Sequence, residues 1–100
     1  PVSIVTVGSD EKRGVSSPLL LPDLAILDAE LTLGLPPAIT AATGIDAMVH
    51  AIEAFTSASP NANPISRALA REALRLLGAH IRRAVADGSD RPAREGMLLG

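Results

Sequence analysis

The sequence contains no cysteine, no tryptophan and no tyrosine, and Phe55 is its single aromatic residue. Without cysteine it forms neither a disulfide scaffold nor a thiolate metal site, a composition that suits the cytosol, and a cytoplasmic location is expected. A formal net charge of −2 leaves no basic excess of the kind that draws a protein to nucleic acid. No apolar run approaches the roughly 20 residues of a membrane span, so no membrane partner is expected. No signal peptide is visible either. Also missing is the glycine-rich phosphate-binding turn of nicotinamide enzymes. There is no internal repeat and no low-complexity tract. The chain opens in PVSIVTV without an initiator methionine and closes on the apolar MLLG, and is expected to be an internal segment of a longer protein. What it does have is aliphatic core material. Hydrophobic residues make up 47% of its 100 positions, enough to fill a small core.

In chain order, Val2 to Val7 alternates apolar with small polar side chains and is rich in β-branched residues, which predicts a strand. Gly8-Ser9-Asp10 is turn chemistry and Lys12 to Ser17 offers a return strand, so a hairpin is expected. Pro18 and Pro22 bracket a connection that is neither a regular helix nor a central strand. Leu24 to Leu27 predicts a brief buried strand. It ends at Asp28, suited to cap a short helix through Leu33 that Gly34 would stop. Leu35-Pro36-Pro37 marks the expected domain boundary, since strand and turn precede it and helix follows. One helix is predicted from Pro37 to about Ser57, and SASPNAN is a polar loop. Asn63-Pro64 opens a second helix to about Ala86, with Ile65, Leu69, Leu74, Leu76, Leu77, Ile81 and Val85 as its apolar face. Arg67, Arg71 and Arg75, with Glu72 nearby, form a solvated face. Asp87-Gly88 stops this helix, and Asp90 with Pro92 begins a third that ends on Met97, Leu98 and Leu99.

The chemistry concentrates in GIDAMVHAIEAF, Gly44 to Phe55. Asp46 and His50 are four residues apart and project from one helix face, with Glu53 seven residues after Asp46. Ile45, Met48, Val49, Ile52 and Phe55 occupy the remaining surface, so the helix is expected to be buried. A buried carboxylate and imidazole need a partner. A divalent metal satisfies both, since aspartate offers a hard oxygen and neutral histidine a borderline nitrogen. An Asp–His hydrogen bond inside a packed helix pair is the other reading, and the residues alone leave both open. Glu53 either orients the metal ligands or pairs with a basic residue. Gly44 costs roughly 1 kcal/mol against alanine in a helix, so close approach by another helix or a ligand is expected there. His80, in LLGAHIRRAV, reads as a helix-face residue.

The stretch AILDAELTLGLPPAITAATGIDAMVHAIEAF resembles the signature of the iron-containing (group III) alcohol dehydrogenases. Its fixed points are Asp28, Pro36, Ala41, Thr43, the Gly44-x-Asp46 step, Met48 and Glu53. The likeness continues through SPLLLPDLAILD upstream and through NPISRALAREALRLL and AREGMLLG downstream. The resemblance implies that Asp46 and His50 are two of four ligands to a catalytic divalent metal, usually iron, with zinc the other candidate. The family's remaining ligands are histidines further downstream, which this chain does not contain. NAD or NADP is the implied cofactor, and the phosphate-binding turn lies upstream of this stretch in the family. By its place before SPLLLP, Lys12 resembles a lysine that reaches toward the cofactor. A solvated lysine beside a turn is the plainer reading, and Arg13 could take the same position. The implied fold is an α/β fragment, mostly α. Residues 1–34, a β-hairpin and short strand, would end a nucleotide-binding α/β domain, and residues 35–100 would begin an all-α metal-binding domain. The implied activity is metal-assisted hydride transfer between an alcohol and an aldehyde or ketone, in a homo-oligomer acting on small molecules. The segment alone is expected to be inactive. Three alternatives stand beside it: a maleylacetate-reductase-like enzyme that works without the metal, a glycerol-dehydrogenase-like zinc enzyme, and a non-catalytic helical interaction module.

Overall fold

The computed structural model describes residues 2–100. A two-stranded antiparallel hairpin, β1 (Val2–Val7) and β2 (Glu11–Ser16), leads through two 3-10 turns into three helices, α1 (Pro37–Thr56), α2 (Pro64–Ala86) and α3 (Arg91–Leu99). The strands pair from Val2↔Ser16 to Val7↔Glu11. Gly8 turns the chain at φ 67, a left-handed conformation that costs glycine little. The hairpin therefore forms as the alternation predicts. No helix among the described residues is long and apolar enough to cross a membrane.

Two expectations about the connection fail. Leu24 to Leu27 is not a strand and is not buried; Leu24 and Ile26 are 75% and 79% exposed. A strand needs a neighbour for its N–H and C=O groups, and the sheet among the described residues ends at two strands. Asp28 does cap the turn that follows, its Oδ1 accepting from the Glu30 N–H at 3.0 Å, but the turn is a 3-10 helix, Ala29–Thr32. Gly34 does not stop it by a left-handed residue, since its φ is not positive. Instead the Leu33 and Leu35 N–H groups donate to the carbonyls of Glu30 and Thr32.

The helices start where their caps place them. Pro37 opens α1 at a position where proline's missing N–H is no loss. At α2, Asn63 Oδ1 accepts from the N–H groups of Ile65 and Ser66 while Ser66 Oγ accepts from the Asn63 N–H, a reciprocal capping box. At α3, Asp90 Oδ1 accepts from the Ala93 N–H at 3.0 Å, and its carboxylate also receives a fork from Arg83.

Small side chains, closed around Leu77 and Arg94, make most of the core. Thr40, Gly44 and Ala51 of α1 are buried, as are Ala70, Leu77 and Ala84 of α2 and Ala93 and Arg94 of α3. Gly44 has the reason its helix position demands: a Cβ there would lie 2.8 Å from Met97 Cε and 2.9 Å from Ile81 Cδ1. This core also overturns the expected burial of α1. Ile45, Val49, Ile52 and Phe55 remain 44–55% exposed, because the helix meets its neighbours through its small residues instead. The apolar face of α2 is corrected in the same way at its start, where Ile65 and Leu69 are exposed and Ala70 is buried.

Candidate metal centre

α1 carries the pair. Its unbroken hydrogen-bonded turn brings Asp46 and His50 together, with Nε2 of the histidine 3.5 Å from Oδ2 of the aspartate. That is too long for a good hydrogen bond, and both side chains are about three-quarters exposed, at 74% and 73%. The reading of a hydrogen bond inside a packed helix pair therefore loses its premise. The spacing suits a shared ion better. Two donors each about 2.1 Å from one tetrahedral metal stand about 3.4 Å apart, close to the distance observed. The donor set fits a divalent cation chemically as well, one anionic oxygen beside one imidazole nitrogen. It is nevertheless only half a site. Among the described residues no group of three or more His, Cys, Asp or Glu side chains converges.

The pair lines the rim of a groove of about 970 Å³ between α1 and α2. Across it stand Ser66, Glu72 and Arg75 of α2. Glu72 is engaged elsewhere, its two carboxylate oxygens accepting from Arg75 Nη2 at 2.6 Å and Nε at 2.9 Å. These hydrogen bonds hold the Glu72 carboxyl below the usual glutamate range and raise Arg75 in return. A fork of this kind fixes an acid on its own helix and leaves the groove's free donors at Asp46 and His50.

The other sequence candidates lie apart from that rim. Lys12 sits on β2 opposite Thr6, exposed, and is not among the groove's lining residues. Arg13 is committed to Glu11, donating to both carboxylate oxygens. Glu53 is exposed and makes no ion pair among the described residues, so neither contact expected of it is formed here. His80 packs its ring where Gly96 leaves room on α3, and its buried Nδ1 has no hydrogen-bond partner. The sequence reading missed Arg94. It is 3% exposed and bonds to three separate segments. A signal was available: Ala93, Arg94, Met97 and Leu98 fall on one helical face, so the arginine shares the apolar side of α3.

Residues 40–100 match the sequence profile of the Fe-containing alcohol dehydrogenase family, C-terminal region. The chain belongs to this family. It is 51% identical over 87 residues to a sulfoacetaldehyde reductase of Bilophila wadsworthia, an alignment covering 87% of this chain and 22% of the relative. It is 51% identical over 89 residues to long-chain-alcohol dehydrogenase 1 of Geobacillus thermodenitrificans, covering 89% and 22%. Among solved structures it resembles the sulfoacetaldehyde reductase of Bifidobacterium kashiwanohense in complex with NAD+, with a TM-score of 0.84 and 38% identity over 97% of this chain and 26% of that one. It also resembles a maleylacetate reductase from a Rhizobium species, with a TM-score of 0.85 and 36% identity over 99% of this chain and 27% of that one. The chain thus spans about a quarter of the length of these relatives.

Proposed function

We propose that the protein is an NAD(P)-dependent oxidoreductase that interconverts an alcohol with an aldehyde or ketone, with Asp46 and His50 contributing two ligands to a divalent metal. The observation that carries this reading is the 3.5 Å approach of an exposed imidazole nitrogen and an exposed carboxylate oxygen one turn apart on α1 of an Fe-containing alcohol dehydrogenase family member. When bound, the metal would supply Lewis acidity toward the substrate oxygen, and the nicotinamide would accept or return the hydride. Asp46 brings the negative charge that lets a dication leave water. His50 would bring an imidazole nitrogen, a borderline donor suited to the same ion. The rigid helix fixes the spacing between them, and their place at the groove rim leaves the side away from α1 open to further ligands and to substrate. Residues 1–34 would lie on the cofactor side of the protein, with Lys12 reaching toward the nucleotide, and residues 35–100 on the metal side. The metal is iron, with zinc as the other candidate.

A second reading draws on the maleylacetate reductase structure, which this chain matches as closely in backbone as it matches the NAD+ complex. In it the metal is dispensable, and Asp46 and His50 orient the substrate or exchange protons. Metal content of the full-length protein purified without oxygen, beside its His50→Ala variant, separates the two. About one iron or zinc ion per chain, lost together with activity in the variant, is the expected result. Full retention of metal and activity by the variant would sink the ligand assignment. Activity without metal in either protein would select the second reading.

A further inference from the structure

Arg94 carries a charge that stability alone does not explain. Its side chain is buried to 3% exposure, yet no carboxylate among the described residues pairs with it. Three neutral oxygens receive it instead. Nε donates to the Gly88 carbonyl at 3.1 Å, Nη1 to Thr40 Oγ1 at 2.7 Å, and Nη2 to the Leu35 carbonyl at 3.2 Å. Burying a cation without a counter-charge is costly, and a well-packed apolar side chain would serve the core as well or better. The three acceptors come from three different places: the stretch leading into α1, the first turns of α1 itself, and the loop between α2 and α3. Gly88 gives the guanidinium room, since a Cβ there would press on Arg94 Nη2 at 3.1 Å. An exposed ion pair between Arg91 and Glu30, at 3.1 Å, also joins α3 to the 29–35 segment on the outside.

We propose that Arg94 is a positioning residue that fixes the 29–35 segment, and the chain running back to the hairpin, against the helix carrying Asp46 and His50. The geometry of the guanidinium is the reason. Its nitrogens are held in one rigid plane, so the oxygens of Leu35 and Thr40 are set apart by a covalent spacer rather than by flexible packing. Lysine, with one nitrogen on a flexible stem, keeps the charge but loses the fork. The inference rests on the proposed function, in which residues before Leu35 belong to the cofactor side and α1 to the metal side. In that setting the fork controls how closely the hydride donor and acceptor approach, a distance to which transfer rates are steeply sensitive. The Leu35-Pro36-Pro37 step, which reads as a boundary in the sequence, is on this view a pinned joint.

The test uses the full-length protein and its Arg94→Lys and Thr40→Val variants, with single-turnover hydride transfer followed at the nicotinamide absorbance. The burst amplitude counts folded, loaded sites and the rate is independent of it, so a loss of stability alone moves only the amplitude. Arg94→Lys is expected to slow transfer about 10- to 100-fold with metal content unchanged, and Thr40→Val to slow it less. Rates within about twofold of the parent in both variants would overturn the proposal. If Arg94→Lys does not fold, Thr40→Val decides, because it removes the side-chain acceptor of Arg94, together with the long 3.5 Å contact from Thr40 Oγ1 to the Leu35 carbonyl, and leaves the cation in place. A parent protein that transfers no hydride would overturn the functional reading and this inference together. A parent that transfers hydride without metal leaves the test of Arg94 intact.

Discussion

Replacing Gly44 with alanine sets two known effects against each other, and the structure says which wins. Inside a helix the exchange gains about 1 kcal/mol through lower backbone entropy in the unfolded chain. Here the new Cβ would stand 2.8 Å from Met97 Cε, 2.9 Å from Ile81 Cδ1 and 3.3 Å from Ile81 Cγ1. Met97 can swing its terminal methyl aside, since it has three rotatable bonds. Ile81 is stiffer: χ2 rotation can turn Cδ1 aside, but Cγ1 lies close to the backbone at 3.3 Å and the β-branch restricts χ1, so the last few tenths of an ångström must come from a small shift of α2. Overpacking of this kind costs about 1–3 kcal/mol, which exceeds the gain and leaves Gly44→Ala destabilised by about 1 kcal/mol. Gly78 supplies the control. It lies within α2, and a Cβ there meets nothing within 4 Å, so Gly78→Ala should keep the gain, about 0.5–1 kcal/mol. The two variants should therefore differ by nearly 2 kcal/mol. In urea, with a slope of about 2 kcal/mol per molar, their unfolding midpoints separate by about 1 M on opposite sides of the parent. A Gly44→Ala midpoint as high as that of Gly78→Ala would refute the argument that helix contact requires glycine at this position.

Asn63→Ala removes both cap bonds at the start of α2, 2.9 and 3.0 Å long, and should cost about 1 kcal/mol of stability in a denaturation midpoint. An unchanged midpoint would mean that the polar loop before α2 satisfies those amides by another route. Asp87 accepts from Ser89 Oγ at 2.6 Å and from the Ser89 N–H at 2.9 Å, and these bonds, the hydroxyl's first, hold its carboxyl below the usual aspartate range. Because the folded value lies below the unfolded one, the contribution is complete above the ordinary aspartate value, about 3.9, and disappears as pH falls through the lowered one. In Ser89→Ala the carboxyl carbon of Asp87 should titrate at higher pH by NMR; an unmoved titration would show that the hydroxyl does not set it.

Where local chemistry decides, the elements could be read directly. The hairpin follows from alternation around Gly8-Ser9-Asp10, and α2 and α3 begin at Asn63 and Asp90, whose side chains bond the amides of the first turn. Leu24 to Leu27 looks like a strand because its residues are apolar, but apolar character does not supply a pairing partner. The burial of Arg94 was harder to see for the opposite reason. Composition marks arginine as a surface residue, and only its shared face with Ala93, Met97 and Leu98 indicates otherwise.

The site itself was half legible, and the missing half concerns which side of α1 is covered. At roughly 100° per residue, Thr40, Gly44, Ala47 and Ala51 fall on one face, while Ile45, Val49 and Ile52 fall nearly opposite. Asp46 and His50 lie on the flank between them. The sequence shows an apolar helix bearing a polar stripe and so suggests burial of both. Contact in fact runs through the smallest residues, because these let backbones approach: Gly44 admits Met97 and Ile81, and Ala51 is buried where α1 lines the groove. The bulkier aliphatic residues point outward, and the flank is left at the edge of the contact. A carboxylate and an imidazole can stay there without a buried partner, solvated and one turn apart. This placement avoids the cost of burying polar groups without partners, and it leaves both side chains accessible from solvent.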